Sequence, residues 1–268
     1  MNTISLTPAD LLSAAAMLLL LAITSWLLNL NIARRLLISA LRMAVQLLLV
    51  GMVLRWLFAA SGFLPVFLMS AVMLLAAGRE IWARQSRPIA GSQGYLLSTS
   101  AVAVSNFSVT FIALLVIGNS PWYHPQYAIP LLGMLLGNAM TGTSLAANHL
   151  TEQLYLRQRE VEQRLMLGET WQQASLEIRR ECMRTGMIPV INSMSAMGLV
   201  SLPGMMTGQI LGGVAPMEAV KYQILIMLFI ASSTGLGVMT IISLSGRVLF
   251  DQRHRLRLDR LKAGKKKN

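Results

Sequence analysis

The chain is predicted to be an all-α, polytopic membrane protein with about seven transmembrane helices, N-terminus out and C-terminus in. Three observations predict it. The 268 residues are 54% hydrophobic and only 13% charged, with mean hydropathy +0.58, whereas soluble domains carry nearer one quarter charged residues. The apolar residues gather into runs close to the roughly 20 that an α-helix needs to cross a bilayer. The basic residues alternate between successive connections.

The elements follow in order. The first span, 9–30, carries Asp10 at its start and has no basic n-region, so it reads as a span and not as a signal peptide. The second, 37–58, holds Arg42 and, one turn on, Gln46, on the same helical face. Arg42 either snorkels to headgroups or belongs to a polar stripe facing a partner or a pathway. Arg55, in the same span, is placed to pair with Asp10. The third, 64–78, is the shortest and extends toward Trp82. The fourth is 95–117. The fifth, 128–148, holds Gly133-x3-Gly137 and the small run Ala139–Gly142, a pattern that permits close helix approach. The sixth, 186–209, is rich in breakers and polar residues, and the seventh is 222–246.

Segments 31–36, 79–94, 149–185 and 247–268 hold 2, 3, 6 and 9 basic residues, twenty of the 23. Connections 59–63, 118–127 and 210–221 hold only Lys221. That asymmetry places the basic segments in the cytoplasm. The net charge of +12 is then read as loops held against anionic lipid, with no nucleic acid as partner, since no nucleic-acid-binding motif accompanies it.

A charged island runs from His149 to Thr185 between the fifth and sixth spans. Leu150, Leu154, Val161 and Leu165 form one apolar stripe on an otherwise charged helix. Gly168 can end that helix in the left-handed conformation, and Thr170 with Gln173 can cap the next. Trp171, Ala174, Ser175, Ile178 and Cys182 share a face of that second helix. The result is a helix–turn–helix elbow at 150–184. It is either an amphipathic hairpin lying on lipid, with its Trp at the headgroups, or a coupling element that docks into a cleft of a soluble motor.

Several chemistries are missing. There is no Gly-x4-Gly-Lys-Ser/Thr phosphate loop, no Gly-x-Ser-x-Gly elbow and no His-Glu-x-x-His motif. The chain is therefore expected not to be an enzyme and to hold no cofactor of its own. Cys182 is the single cysteine, which excludes an intrachain disulfide and a cysteine metal cage.

The sixth span is the candidate pathway. It contains Pro189, Asn192, Ser193, Ser195, Ser201 and Pro203-Gly204. Pro203 lies about 25 Å along a continuous helix from Gly186, at 1.5 Å per residue. That predicts a break near the outer leaflet, either a gate or the helix end. Met187, Met194, Met197, Met205 and Met206 cluster here, with Met134 and Met140 in the fifth span. Thioether sulfur suits soft Cu(I), and also packs as an ordinary gap-filler. Harder metals would take oxygen from Asn138, Asn192 or Ser193. The spacing alone names no metal site.

Glu162, Gly168 and Ile178 resemble the EAA loop of ABC-importer membrane subunits, Glu-Ala-Ala-x3-Gly-x9-Ile. Gln163 and Arg164 replace the two alanines, and the terminal Leu-x-Pro is absent. Gly133–Met140, Gly198–Gly208, Ala219–Ile224 and the Arg42-x3-Gln46 pair are similar to signatures of the FetB-type permease family, over roughly residues 10–250. The resemblance implies an ABC-transporter permease subunit of the bacterial inner membrane, with ATP bound and hydrolysed on a separate FetA-type ATPase chain. Family members are linked to iron export and to metal or oxidative-stress resistance, and plant relatives to aluminium tolerance. It implies a homodimer, because a two-stroke ATPase dimer needs two membrane halves. Residues 1–250 would then be one permease domain, Glu162, Leu165, Gly168, Trp171 and Ile178 the coupling elbow, and 251–268 a basic cytoplasmic tail. The pathway or gate would draw on Arg42, Gln46, Asn138, Asn192, Ser193, Pro203, Gly204, Met205 and Met206. The alternative is a stand-alone secondary transporter or channel.

Overall fold

The computed structural model describes residues 7–30, 32–59, 62–118, 121 and 123–262. The described residues are helical, without β-strands, and divide between two compact units, the second of which begins at Gly62. Six of the helices are long and apolar enough to cross a membrane.

The first unit holds α1 (Pro8–Leu27) and α2 (Ala33–Ala59). Asp10 caps α1: its Oδ2 accepts the Thr7 N–H at 2.8 Å and the Thr7 hydroxyl at 2.7 Å. This reciprocal capping box satisfies backbone donors that a helix start leaves free. It also accounts for the carboxylate, and no ion pair joins Asp10 to Arg55 as the sequence suggested. Both helices present leucines outward, as lipid-facing segments must.

The second unit holds α3 (Phe63–Arg84), α4 (Gly91–Ile117), α5 (Pro125–Leu156), α6 (Gln158–Met166), α7 (Trp171–Ala174), α8 (Leu176–Ala196), α9 (Gly204–Leu211) and α10 (Pro216–Leu249). α5 is central and packs on α3, α4, α8 and α10. Its tightest crossing uses small residues. A Cβ on Gly142 would lie 2.6 Å from the Gly186 carbonyl oxygen of α8 and 2.6 Å from Thr234 Cγ2 of α10. A Cβ on Gly186 would lie 2.9 Å from Ala146 Cβ and from Val238 Cγ2. Backbones that approach this closely leave no room for any side chain. The sequence pair Gly133-x3-Gly137 does not do this work: a Cβ on Gly133 meets Met73 Cε at 3.3 Å, and one on Gly137 meets nothing within 4 Å.

A buried polar link joins α4 to α10 nearby. The Ser233 hydroxyl donates to Asn106 Oδ1 at 3.0 Å, and Asn106 Nδ2 donates to the Val102 carbonyl at 3.0 Å. Both side chains are fully buried. With no water to substitute, such a bond fixes helix register as well as contributing energy.

The sixth predicted span, 186–209, is not one helix. α8 begins ten residues before Gly186, inside the elbow, and stops at Ala196. Gly198 has φ +81°, its N–H donates to the Ser201 carbonyl at 3.0 Å, and the chain turns before α9 restarts at Gly204. The break therefore falls about 16 Å along the axis from Gly186, at 1.5 Å per residue, well short of the 25 Å expected for Pro203. Pro189 lies within α8 without ending it.

Gly186→Val is expected to lower the thermal unfolding midpoint of the purified chain by several degrees, an overpacking cost of about 1–3 kcal/mol or more. Gly137→Ala is expected to leave it unchanged. Equal midpoints for the two variants would show that the helices do not cross at Gly186.

Candidate functional site

The elbow begins where α5 leaves its apolar stretch. Its first arm continues from α5 into α6 through a slight break at Arg157. Leu150, Leu154 and Val161 are fully buried, and Leu165 packs beside them. Their partners are Ala174, Ile178 and Cys182 of the second arm, with Leu249 and Phe250 at the end of α10. The apolar stripe thus lies inside a small core, and no apolar face is left along it to lie on lipid. Burial, with the Glu181 charge adding, pushes the Cys182 thiol up to about 12, so it serves as a packing residue.

The turn forms as its spacing predicted. Gly168 has φ +93°. Its N–H donates to the Leu165 carbonyl at 3.1 Å, and the Glu169 N–H reaches back to the Arg164 carbonyl at 3.2 Å. These are the paired bonds of a Schellman cap, which requires a left-handed residue at this point. Gln173 Oε1 accepts the Thr170 N–H and hydroxyl, each at 2.9 Å, and opens α7. Between the arms, Arg157 makes a bidentate pair with Glu160 at 2.7 Å and lies 3.7 Å from Glu177 and 4.0 Å from Glu181. Its hydrogen bonds hold the Glu160 carboxyl below the usual range. Arg164 pairs with Glu169 at 2.9 Å. Glu162 accepts from Gln158 Nε2 at 2.8 Å. At the apex, Met166 and Leu167 are 81% and 84% exposed.

Trp171 packs against the end of α10. Its ring stacks on Phe250 at 5.4 Å between centroids and closes on Gly246 of α10, where a Cβ would lie 2.7 Å from Cζ3. The start of the basic tail packs on the protein itself. Residues 250–262 fold back as a strap along the elbow. Asp251 accepts the N–H groups of Arg253 and Arg255 at 2.9 and 2.8 Å, and these bonds, the Arg255 one first, hold its carboxyl below the usual range. The strap then reaches the connection between α3 and α4, where the Ala90 N–H donates to the Arg260 carbonyl at 2.7 Å and the Lys262 N–H to the Pro88 carbonyl at 2.9 Å. The three basic segments of this unit, 79–94, 149–185 and 247–262, therefore share one end of the bundle.

The candidate pathway residues divide. Asn138 on α5 and Asn192 and Ser193 on α8 are exposed on adjacent helices. The Gly142–Gly186 crossing of these antiparallel helices puts Asn192 level with about residue 136, close to the height of Asn138. Asn138 Nδ2 donates to the Met134 carbonyl at 2.8 Å. Pro203, Gly204 and Met205 follow the break at the start of α9, and Met206 is buried. Met197 accepts from Gln223 Nε2 at 3.9 Å, and Met140 packs on the core of α3, α4 and α5. Arg42 and Gln46 lie in the other unit, both exposed on α2. Among the described residues, no group of three or more His, Cys, Asp or Glu is gathered to hold a metal ion. Sequence reasoning missed the Asn106–Ser233 link and the strap. Their signals were a lone Asn inside an apolar run and the alternation Arg255-Leu256-Arg257-Leu258.

The family described as uncharacterised protein family UPF0014 matches residues 8–250. The UPF0014 membrane protein slr1647 of Synechocystis is 36% identical, over 88% of this chain and 90% of its own. The probable iron export permease protein FetB of Escherichia coli is 31% identical, over 98% of this chain and 99% of its own. The protein ALUMINUM SENSITIVE 3 of Arabidopsis thaliana is 34% identical, over 80% of this chain and 77% of its own. No solved structure matches the chain. Matched over nearly all of its helical length, the chain belongs to UPF0014, a family of multi-pass membrane proteins.

Proposed function

We propose that this chain is the permease subunit of an ABC transporter of the bacterial inner membrane, driven by ATP hydrolysis on a separate chain. The observation that carries the reading is the elbow's apex. The apolar stripe is consumed inside the elbow, yet Met166 and Leu167 stand out beside a rigid Schellman turn. A stiff, charged body with an exposed apolar tip suits insertion into a cleft of a soluble partner. Glu162, Gly168 and Ile178 stand at the positions of the EAA-loop pattern, with Ile178 as its buried base and Glu162 on its flank.

The basic end of the bundle faces the cytoplasm in this reading, by the bias of Lys and Arg. That puts the elbow, the strap and the α3–α4 connection where an ATPase can reach them. The cargo follows from the relatives: a metal ion such as iron, exported, as the name of FetB states for that protein. The polar exposed face of α5 and α8 beside the interrupted helix is the proposed pathway. Broken helices at membrane depth are tolerated where they line a cavity, and transporters place substrates there. A second copy of the chain would close that face in a homodimer and share the pathway.

Two outcomes are expected. The tagged chain, extracted gently from its native membrane, should retain a stoichiometric ATP-binding chain. Replacing both Met166 and Leu167 by Asp should weaken that association at least tenfold, since each apolar side chain lost from a cleft is worth about 1.5–3 kcal/mol. A chain that retains no such partner yet moves solute in vesicles would instead be a secondary transporter. For the pathway, Asn138→Leu and Asn192→Leu should each cut ATP-driven metal efflux from vesicles about tenfold while leaving partner association intact; unchanged efflux in both would move the pathway elsewhere.

A further inference from the structure

The strap also shapes the surface beside the elbow apex. Its turn, Gln252–Arg255, stands against α6 and encloses a groove of about 380 Å³. Leu165 and Leu256 line its floor. Glu162 and Met166 form one wall, and Arg253 and Arg255 the other. The groove is built, not incidental. One side of the strap is fixed by the Phe250–Trp171 stack and by the Trp171 N–H, which donates to His254 Nδ1 at 3.3 Å. The other is fixed by the Arg257 N–H, which donates to the Leu249 carbonyl at 2.8 Å, and by the bonds to Pro88 and Ala90.

We propose that this groove is half of the docking surface for the ATP-binding partner, so that the partner engages the strap together with the elbow apex; the proposal rests on the permease-subunit reading above. Three observations point to that occupant. The groove is continuous with the apex, because Met166 belongs to both. Its two walls differ in charge: on the strap, Arg255 is paired with Asp251 at 3.1 Å and the Arg253 guanidinium has no hydrogen-bond or ion-pair partner among the described residues, while the facing Glu162 accepts from Gln158 Nε2. A partner segment that offers one apolar side chain to the floor and a carboxylate to the Arg253 wall, on the side away from Glu162, fits both. The location also favours a soluble partner over lipid. α6 starts after Leu156, seven residues beyond His149 where the apolar run of α5 ends, or about 10 Å further along the axis. That exceeds the roughly 5–7 Å depth of one headgroup layer.

The test uses the full chain in complex with its copurified partner. A photoreactive benzoylphenylalanine in place of Gln252 is expected to crosslink to the ATP-binding chain. Arg253→Glu is expected to weaken association at least tenfold, with unchanged gel-filtration elution and helical circular dichroism, since Arg253 is exposed. Arg253→Gln should weaken it less. No crosslink from position 252, or association of Arg253→Glu within twofold of the unaltered chain, overturns the composite surface and leaves the permease reading standing. An unaltered chain that retains no ATP-binding chain overturns the permease reading itself. Reduced flotation of Arg253→Glu with phosphatidylglycerol vesicles, while partner association stays normal, would assign the strap to lipid and overturn the proposal.

Discussion

The second unit depends on one close approach, the crossing of α5, α8 and α10 at Gly142, Gly186, Thr234 and Val238. In a bilayer the hydrophobic effect does not press helices together, because lipid is as apolar as leucine. What remains is van der Waals fit and a few polar bonds. The glycines supply the first and the Asn106–Ser233 bond on the next helix supplies the second. Because α8 is held there, its two ends have different fates: one enters the elbow, the other ends beside the polar face.

The elbow owes its stiffness to a core of its own. The ion pairs that cross it are partly exposed, and pairs of that kind contribute about 1 kcal/mol or less each. They set register between the arms. The buried set Leu150, Leu154, Val161, Ile178, Cys182 and Leu249 contributes far more, at roughly 1.5–3 kcal/mol per large apolar side chain fully buried. This core includes the end of α10, and the Trp171–Phe250 stack ties the strap to it. A force applied at the apex is therefore delivered to α5, α8 and α10 together, and not to a flexible loop.

Local spacing made much of this legible. The Schellman turn at Gly168 and the capping box at Thr170 are decided by residues within six positions of each other, and both form as read. Six of the seven spans were legible from apolar length alone. The break in α8 was not: Ala196-Met197-Gly198 sits in an apolar run where a lone glycine is ambiguous, and Pro203 drew the expectation downstream. The Gly133-x3-Gly137 pattern misled because small residues are permissive of close packing without compelling it. Asn106 and Ser233 are 127 positions apart, and one sequence carries no record of such a pairing. The strap was hidden by its charge, since seven of its residues from Asp251 to Lys262 are ionisable side chains other than His, and the interleaved leucines that anchor it are a fainter signal.

The placement of Gly186 fixes the mechanics that the fold permits. α8 runs from Leu176 to Ala196, so the crossing lies at its midpoint, with ten residues, about 15 Å, on either side. A tilt about that point moves the break by about as much as it moves the elbow, in the opposite sense. Pro189 sits three residues past the crossing and cannot donate to the Thr185 carbonyl. The helix is thus weakest immediately beyond its fulcrum, on the side of Asn192 and Ser193. Motion of the elbow can reach the polar face either as rigid tilt or as bending at Pro189. In both cases the turn at Met197–Pro203, closed by the bonds of the Val200 and Ser201 N–H groups to the Ala196 carbonyl and of the Gly198 N–H to Ser201, joins α8 to α9 and is the segment that must take up the displacement.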